Sequence, residues 1–234
     1  MPDSARGLFI TGTDTGVGKT LVSVAIMKAL AGEGLRVAGM KPVAAGAEPT
    51  PIGLRNDDAL ALAAAANIEI SYETVNPFCF PLPASPHISA EHAGIAIDLV
   101  VIRKNFDALR ANSDVVVVEG AGGWLAPIND RETMADIAAT LNLPVVLVVG
   151  LRLGCLNHAL LTAQAIESRG LRFAGWVANH LQPRFEHARE NIATLEQRLP
   201  GKRLDSVPFD ATGSAAAFVS RDSIQRLREA CGLW

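Results

Sequence analysis

A lysine and a threonine directly behind a glycine, at the end of an apolar run, are the residues whose spacing speaks most directly of chemistry. Gly16-Val17-Gly18-Lys19-Thr20 follows Leu8-Phe9-Ile10 and leads at once into Leu21-Val22-Ser23-Val24-Ala25-Ile26. A strand, a glycine-containing loop and a helix in that order make a cradle for phosphate. Glycine lets backbone N–H groups approach phosphate oxygens, and the helix start adds its positive dipole end. Lys19 can neutralise terminal phosphate charge, and the Thr20 hydroxyl can ligate magnesium. The strict pattern puts a glycine at position 13. Here that residue is Thr13, and the glycine is Gly12.

Other polar residues end apolar runs. Lys41 lies between Met40 and Pro42, where packing explains it poorly; a second cation there would stabilise charge developing on a transferring phosphoryl group. Glu119 ends Val115-Val116-Val117-Val118 and precedes Gly120-Ala121-Gly122-Gly123. An acidic residue after a hydrophobic strand holds magnesium in phosphate-loop enzymes. Asn179 ends a further run. Asn56-Asp57-Asp58 reads two ways: Asn56 as the cap of an alanine-rich helix with both aspartates in its first turn, or one aspartate as a second magnesium ligand. The sequence chemistry leaves that choice open. Gly154-Cys155-Leu156-Asn157-His158 opens a helix whose N-terminus can bind a carboxylate. No base pattern near Cys155 supports a nucleophilic role for it.

The elements that must position these residues alternate. Strands are expected at Leu8–Ile10, Arg36–Lys41, Val115–Glu119, Pro144–Gly150, Ala174–Asn179 and Leu204–Val207. Helices are expected at Lys19–Gly32, Asp57–Ala66, Ile97–Ala111, Thr133–Leu141, Asn157–Ser168, Glu186–Arg198 and Arg221–Ala230. This alternation predicts an α/β fold, a single domain over residues 1–234 with a mostly parallel sheet and helices on both faces. Ligands in such sheets bind beyond the carboxyl ends of the strands, where Lys19, Lys41, Glu119 and Asn179 would gather. Val43–Arg55 and Asn76–Gly94 read as long loops, with Pro86 arguing for a loop around His87.

The 234 residues suffice for one large domain, and a net charge of −3 without a Lys/Arg cluster argues against a nucleic-acid partner. Val145-Val146-Leu147-Val148-Val149 is too short to span a bilayer, so no membrane partner is expected. Three cysteines at no zinc spacing, and no secretory signal, fit a reducing cytoplasm. The scattered histidines, His87 and His92 among them, read as surface or packing residues.

Taken together these segments resemble the dethiobiotin synthetase family. The phosphate loop Gly12-Thr13-Asp14-Thr15 through Val17-Gly18-Lys19-Thr20 matches that family's form. So do Gly39, Lys41-Pro42-Val43, Leu54-Arg55-Asn56, Asp58-Ala59-Leu60, Thr74-Val75-Asn76-Pro77 and Ser85-Pro86-His87. Val118-Glu119-Gly120-Ala121-Gly122-Gly123-Trp124, Leu153-Gly154-Cys155, Asn157-His158-Ala159 and Gly175-Trp176-Val177-Ala178-Asn179 continue the match in the family's order. The resemblance runs to about Pro208; Asp210 to Trp234 carries little of it.

The resemblance implies a P-loop NTPase-like, ATP-dependent ligase that joins carbon dioxide to 7,8-diaminononanoate through a carbamate and a carbamic-phosphoric anhydride. It implies Lys19 and Lys41 as catalytic cations, and magnesium held by Thr20, Asp58 and Glu119. An ATP site is implied at Gly16, Val17, Gly18, Lys19, Thr20 and Leu21, and at Asp58, Glu119, Gly120, Ala121 and Gly122. Asn179, His180, Pro208, Phe209 and Asp210 would complete it, with Asn179 at the adenine edge. Thr15, Lys41, Ala45, Cys155, Leu156 and Asn157 would bind substrate, the last three from the neighbouring subunit of a homodimer. One departure is Ala45, where the family usually carries a hydroxyl residue; the lost hydrogen bond is worth about 0.5–1.5 kcal/mol.

Two other readings share the fold. A partition or cell-division ATPase switch would carry an extra lysine early in the loop, where this chain has Asp14. An amide-forming cobalamin-pathway relative would usually carry a glutaminase-like domain, for which the chain has no room.

Overall fold

In a computed structural model, which describes residues 7–209 and 219–233, alternate residues of the first strand serve two different layers. Along β1 (Gly7–Gly12), Leu8 and Ile10 pack with Val22, Ile26 and Leu30 of α1 (Lys19–Gly32). Phe9 points the other way, toward Ile102, Phe106 and Leu109 of α5 (Leu99–Asn112) and Ile137 of α6 (Met134–Leu141). A sheet covered on both faces follows from this period-two pattern. The third expected strand, β7 (Val115–Glu119), is buried at every residue. Each valine so removed from water contributes about 1.5–3 kcal/mol.

The main sheet adds β2 (Val37–Met40), β8 (Val145–Leu151), β9 (Phe173–His180) and β10 (Arg203–Val207), in the order β10-β9-β8-β1-β7-β2. Every neighbouring pair is parallel. All six strands therefore end on one edge. Helix α7 (Cys155–Ser168) and α8 (Ala188–Arg198) cover β8 and β9 through Ala159, Ala163 and Leu195. The opposite face carries α1, α2 (Asp57–Ala65) and α9 (Arg221–Cys231). The expected strands and helices all occur, with ends moved by a few residues.

The two expected loops need correction. Val43–Arg55 holds three short strands: β3 (Val43–Ala45), β4 (Glu48–Thr50) and β5 (Gly53–Arg55), the last two forming an antiparallel hairpin. Asn76–Gly94 holds β6 (Phe78–Phe80), paired with β3, and the helix α4 (Pro86–Ala93). Pro86 does not break that helix. It stands in the first turn, where its missing N–H would have had no partner in any case, and its fixed φ suits the helix. His87 thus lies on a helix, half-buried, with its N–H donated to Pro127 O. A short helix, α3 (Tyr72–Val75), also had no expectation behind it.

Candidate active site

Two glycines of the phosphate loop, Gly12 and Gly18, stand where a side chain would collide with a neighbour. Gly18 has φ +89°, and a Cβ there would lie 2.2 Å from the Asn179 side-chain nitrogen. Asn179 is buried at the end of β9 and donates from Nδ2 to Val17 O at 2.8 Å. It thus braces the loop from behind, and the close fit explains the glycine. Gly12 stands against Val17, whose side chain is fully buried. The glycine at position 12 rather than 13 is therefore a packing requirement.

Lys19 begins α1 and is buried. Its Nζ donates to Asp14 O at 3.0 Å. Burial, followed by the repulsion of Lys41, pulls its ammonium down to about 8, despite the opposing pull of Glu119, Asp58 and Asp14. Asp14 is ion-paired with Arg152, just beyond β8. The Thr15 N–H and then Arg152 hold its carboxyl below the usual range.

Opposite the loop stands a compact charged group. Lys41 Nζ lies 2.6 Å from Glu119 Oε1 and 2.8 Å from Asp58 Oδ2. Burial alone would lower the Lys41 ammonium, but Glu119 and Asp58 outweigh it and the net shift is upward. Burial likewise pushes Asp58 up, and Lys41, Thr20 and Lys19 bring it down below the usual carboxylate range. Thr20 Oγ1 lies 2.7 Å from Asp58 Oδ1 and 2.9 Å from Glu119 Oε1. One hydroxyl proton cannot serve both carboxylates. Glu119 Oε2 is buried with no hydrogen-bond partner among the described residues. Two carboxylates and a hydroxyl, with an orphaned oxygen beside them, suit magnesium, which is bound by one or two carboxylates together with phosphate oxygens and water.

Asn56 caps α2 by accepting from Ala59 N–H at 3.3 Å, and both aspartates sit in the first turn. The two readings of this segment are compatible. Asp57 is exposed, while Asp58 turns toward Thr20 and Lys41.

The loop and the charged group line a cleft of about 750 Å³. Thr15, Gly16, Gly18, Lys19 and Thr20 form one side; Lys41, Ala45, Asp58 and Glu119, with Ala121 and Gly122, form the rest of the expected lining. Leu21, Gly120, His180, Pro208 and Phe209 lie outside that lining, as do Val17 and Asn179 behind the loop. His180 is half-buried at the end of β9, and burial lowers its pKa. Asp210 lies outside the described residues. Cys155, Leu156 and Asn157 begin α7 away from the cleft. Sequence reasoning missed the wall formed by Pro83, Ala84, Ser85 and Pro86. Its signal was the proline density of that segment, which reads as a loop without saying what the loop faces.

A family model described as an AAA domain matches residues 6–216. The ATP-dependent dethiobiotin synthetase BioD of Vibrio vulnificus is 50% identical over 204 residues, covering 87% of this chain and 90% of the relative. That of Xanthomonas oryzae is 49% identical over 209 residues, covering 89% and 93%. The chain belongs to the dethiobiotin synthetase family. Among solved structures, the MinD cell division protein of Aquifex aeolicus aligns with a TM-score of 0.58 over 96% of each chain. At 17% identity that likeness concerns the fold alone. It agrees with the parallel sheet covered by helices on both faces and does not favour a switch function.

Proposed function

We propose that this chain closes the ring of dethiobiotin from 7,8-diaminononanoate and carbon dioxide at the expense of ATP. One observation carries the reading: two lysines face one cleft, one in a phosphate loop and one on a carboxylate pair. In a reaction that handles both a phosphoryl group and a carbamate, two separately placed cations can stabilise charge on each. An amine of the substrate adds to carbon dioxide and loses a proton, giving the carbamate. A carbamate oxygen forms a bond to the γ-phosphorus as the bond to ADP breaks. The second amine attacks the carbonyl carbon of that mixed anhydride, phosphate leaves, and a proton is lost to give the cyclic urea.

Lys19 exchanges the Asp14 carbonyl for γ-phosphate oxygen. Lys41 steadies the carbamate and the charge that develops on transfer. Thr20, Asp58 and Glu119 would hold magnesium, which when bound neutralises charge on the phosphates. Gly120 to Gly122 let backbone approach the nucleotide, and Pro208 and Phe209 flank it. Asn179 and His180 stand at the adenine side, with Asn179 also bracing the loop. Thr15 and Ala45 bound the substrate.

The substrate's carboxylate tail is held by the Cys155–Asn157 helix start of a partner subunit. Within one chain that start does not line the cleft, and Leu153 beside it is 94% exposed. A homodimer in the cytoplasm follows as part of this reading. No helix among the described residues is long and apolar enough to cross a membrane.

The direct test is phosphate release from ATP that requires both the diamine and bicarbonate; release that ignores the diamine overturns the reading. For the shared site, Lys19→Ala chains are mixed with chains disrupted at Asn157. Hybrid dimers carry one intact site, so activity returns on mixing. No return despite demonstrated subunit exchange removes the partner's contribution.

A further inference from the structure

Lys41 and Asp58 reach the cleft from separate elements, and one side chain connects the supports of both. Lys41 follows β2, and its backbone is fixed by the end of α3. Its N–H donates to Val75 O at 2.8 Å, and its carbonyl accepts from Asn76 Nδ2 at 2.7 Å. Asp58 is aimed by the start of α2, which Asn56 caps. Asn56 Nδ2 also donates to Ala45 O at 3.3 Å, tying that start to the cleft wall.

The phenol oxygen of Tyr72 stands between these two asparagines. It accepts from the Asn56 N–H at 2.8 Å and donates to Asn76 Oδ1 at 3.1 Å, with Cys79 Sγ at 3.7 Å. The Arg55 guanidinium lies over the ring, 4.1 Å from its centroid, and limits where the ring can go. Tyr72 is the single tyrosine of the chain and does not line the cleft.

We propose that Tyr72 is a positioning residue for the Lys41–Asp58 pair, because its oxygen joins the amide that opens α2 to the side chain that holds the Lys41 carbonyl. The oxygen acts as acceptor toward one support and donor toward the other, so it transmits a fixed distance between them. Burial pushes the phenol up to about 12, so its proton stays available to Asn76 at neutral pH. The catalytic consequence rests on the function proposed above; the geometric one does not.

Tyr72→Phe keeps the ring under Arg55 and removes only the oxygen. Its kcat falls about tenfold, the order of one buried hydrogen-bond link lost. The KM for ATP changes by less than about twofold, since the phosphate loop is untouched. In a Lys41→Gln background the same substitution lowers the residual kcat no further, because the pair it sets is already gone. A general structural weakening lowers kcat equally in both backgrounds, and that result overturns the proposal, as does an unchanged kcat in Tyr72→Phe alone. A second readout needs no turnover. The 13Cε resonance of Lys41, identified by its loss in Lys41→Gln, moves in Tyr72→Phe while that of Lys19 stays. A stationary Lys41 resonance also overturns the proposal. If the wild type shows no diamine-dependent phosphate release, the proposed function falls and the resonances still decide the role of Tyr72.

Discussion

The phosphate loop and the Lys41–Asp58–Glu119 group face each other across one cleft but are built in opposite ways. The loop is local. Its glycines, its lysine and the helix start behind it come from one continuous stretch. The charged group is remote. Glu119 is 78 residues from Lys41, and Asp58 is 17 residues from it. The difference extends to energetics. Lys19 is buried with a carbonyl as its hydrogen-bond partner and is pushed toward the neutral form by burial and by Lys41. Lys41 is buried with two carboxylates that hold its charge in place. One lysine is kept hungry for an anion, and the other is already satisfied. Groups whose environment opposes their charge are a mark of functional sites.

That contrast can be broken most directly through turnover. Lys19→Ala is expected to lose about 100-fold or more in turnover, as when a preorganised contact to developing charge is removed. Phosphate release near the wild-type rate in a folded Lys19→Ala protein would show that the loop lysine is not the phosphate's nearest cation.

Stability sharpens the contrast, because the two lysines should act in opposite directions. Lys41→Ala leaves the Glu119 carboxylate buried without its partner and is expected to cost about 3–5 kcal/mol. Lys19→Ala removes a disfavoured charge and should raise the midpoint of thermal unfolding without nucleotide. The sign follows from linkage. The folded-state pKa of Lys19, about 8, is lower than the ordinary lysine value of 10.5 that holds in the unfolded chain. Below about 8 both states are protonated and Lys19 opposes folding in full. Between those two values the unfolded state binds more protons, so stability rises with pH. The wild type should therefore gain on Lys19→Ala across that window. Thermal unfolding that falls equally in both variants, at every pH, would erase the distinction.

The smallest contrast lies between neighbours. Asp58→Asn is expected to raise the magnesium requirement for turnover about tenfold, as a charged ligand becomes neutral. Asp57→Asn should leave that requirement alone and cost about 0.3–1 kcal/mol, by weakening a helix-dipole interaction. A magnesium titration of both variants decides between them, and a larger shift for Asp57→Asn reverses the roles proposed for the two residues.

Legibility followed the same division. The helix Lys19–Gly32 was readable to its ends, because an apolar pattern follows a glycine and a lysine with no competing signal. The central strands β7 and β8 were readable because strands buried on both faces are nearly continuous in valine and leucine, while β2, β9 and β10 were marked mainly by the proline or polar residue that ends each run. The segments between Val43 and Gly94 were not. Their strands are three residues each, too short to show a period, and proline at the start of α4 looks the same in sequence as proline in a loop. Tyr72 and Asn76 left no chemical signal, since hydrogen bonds to backbone atoms of distant residues have no spacing rule.

The sequence by itself determined the phosphate cradle, because its groups are held by bonds within one short stretch and glycine leaves few alternative conformations there. It also determined the layer order, because burial on two faces is written in hydrophobic period. Residue chemistry left the choice between Asp57 and Asp58 open and the family resemblance pointed to Asp58; the tertiary structure supplies the physical reason that Asp58 meets Lys41 and Thr20. Successive residues on a helix point about 100° apart, so the choice depends on how α2 is rotated against β2 and α1. That rotation is set by the packing of Leu62 and Ala65 into the core shared with Met27 and by the bonds that Asn56 makes to Tyr72 and Ala45. These contacts join residues far apart in the chain, and folding alone brings them together.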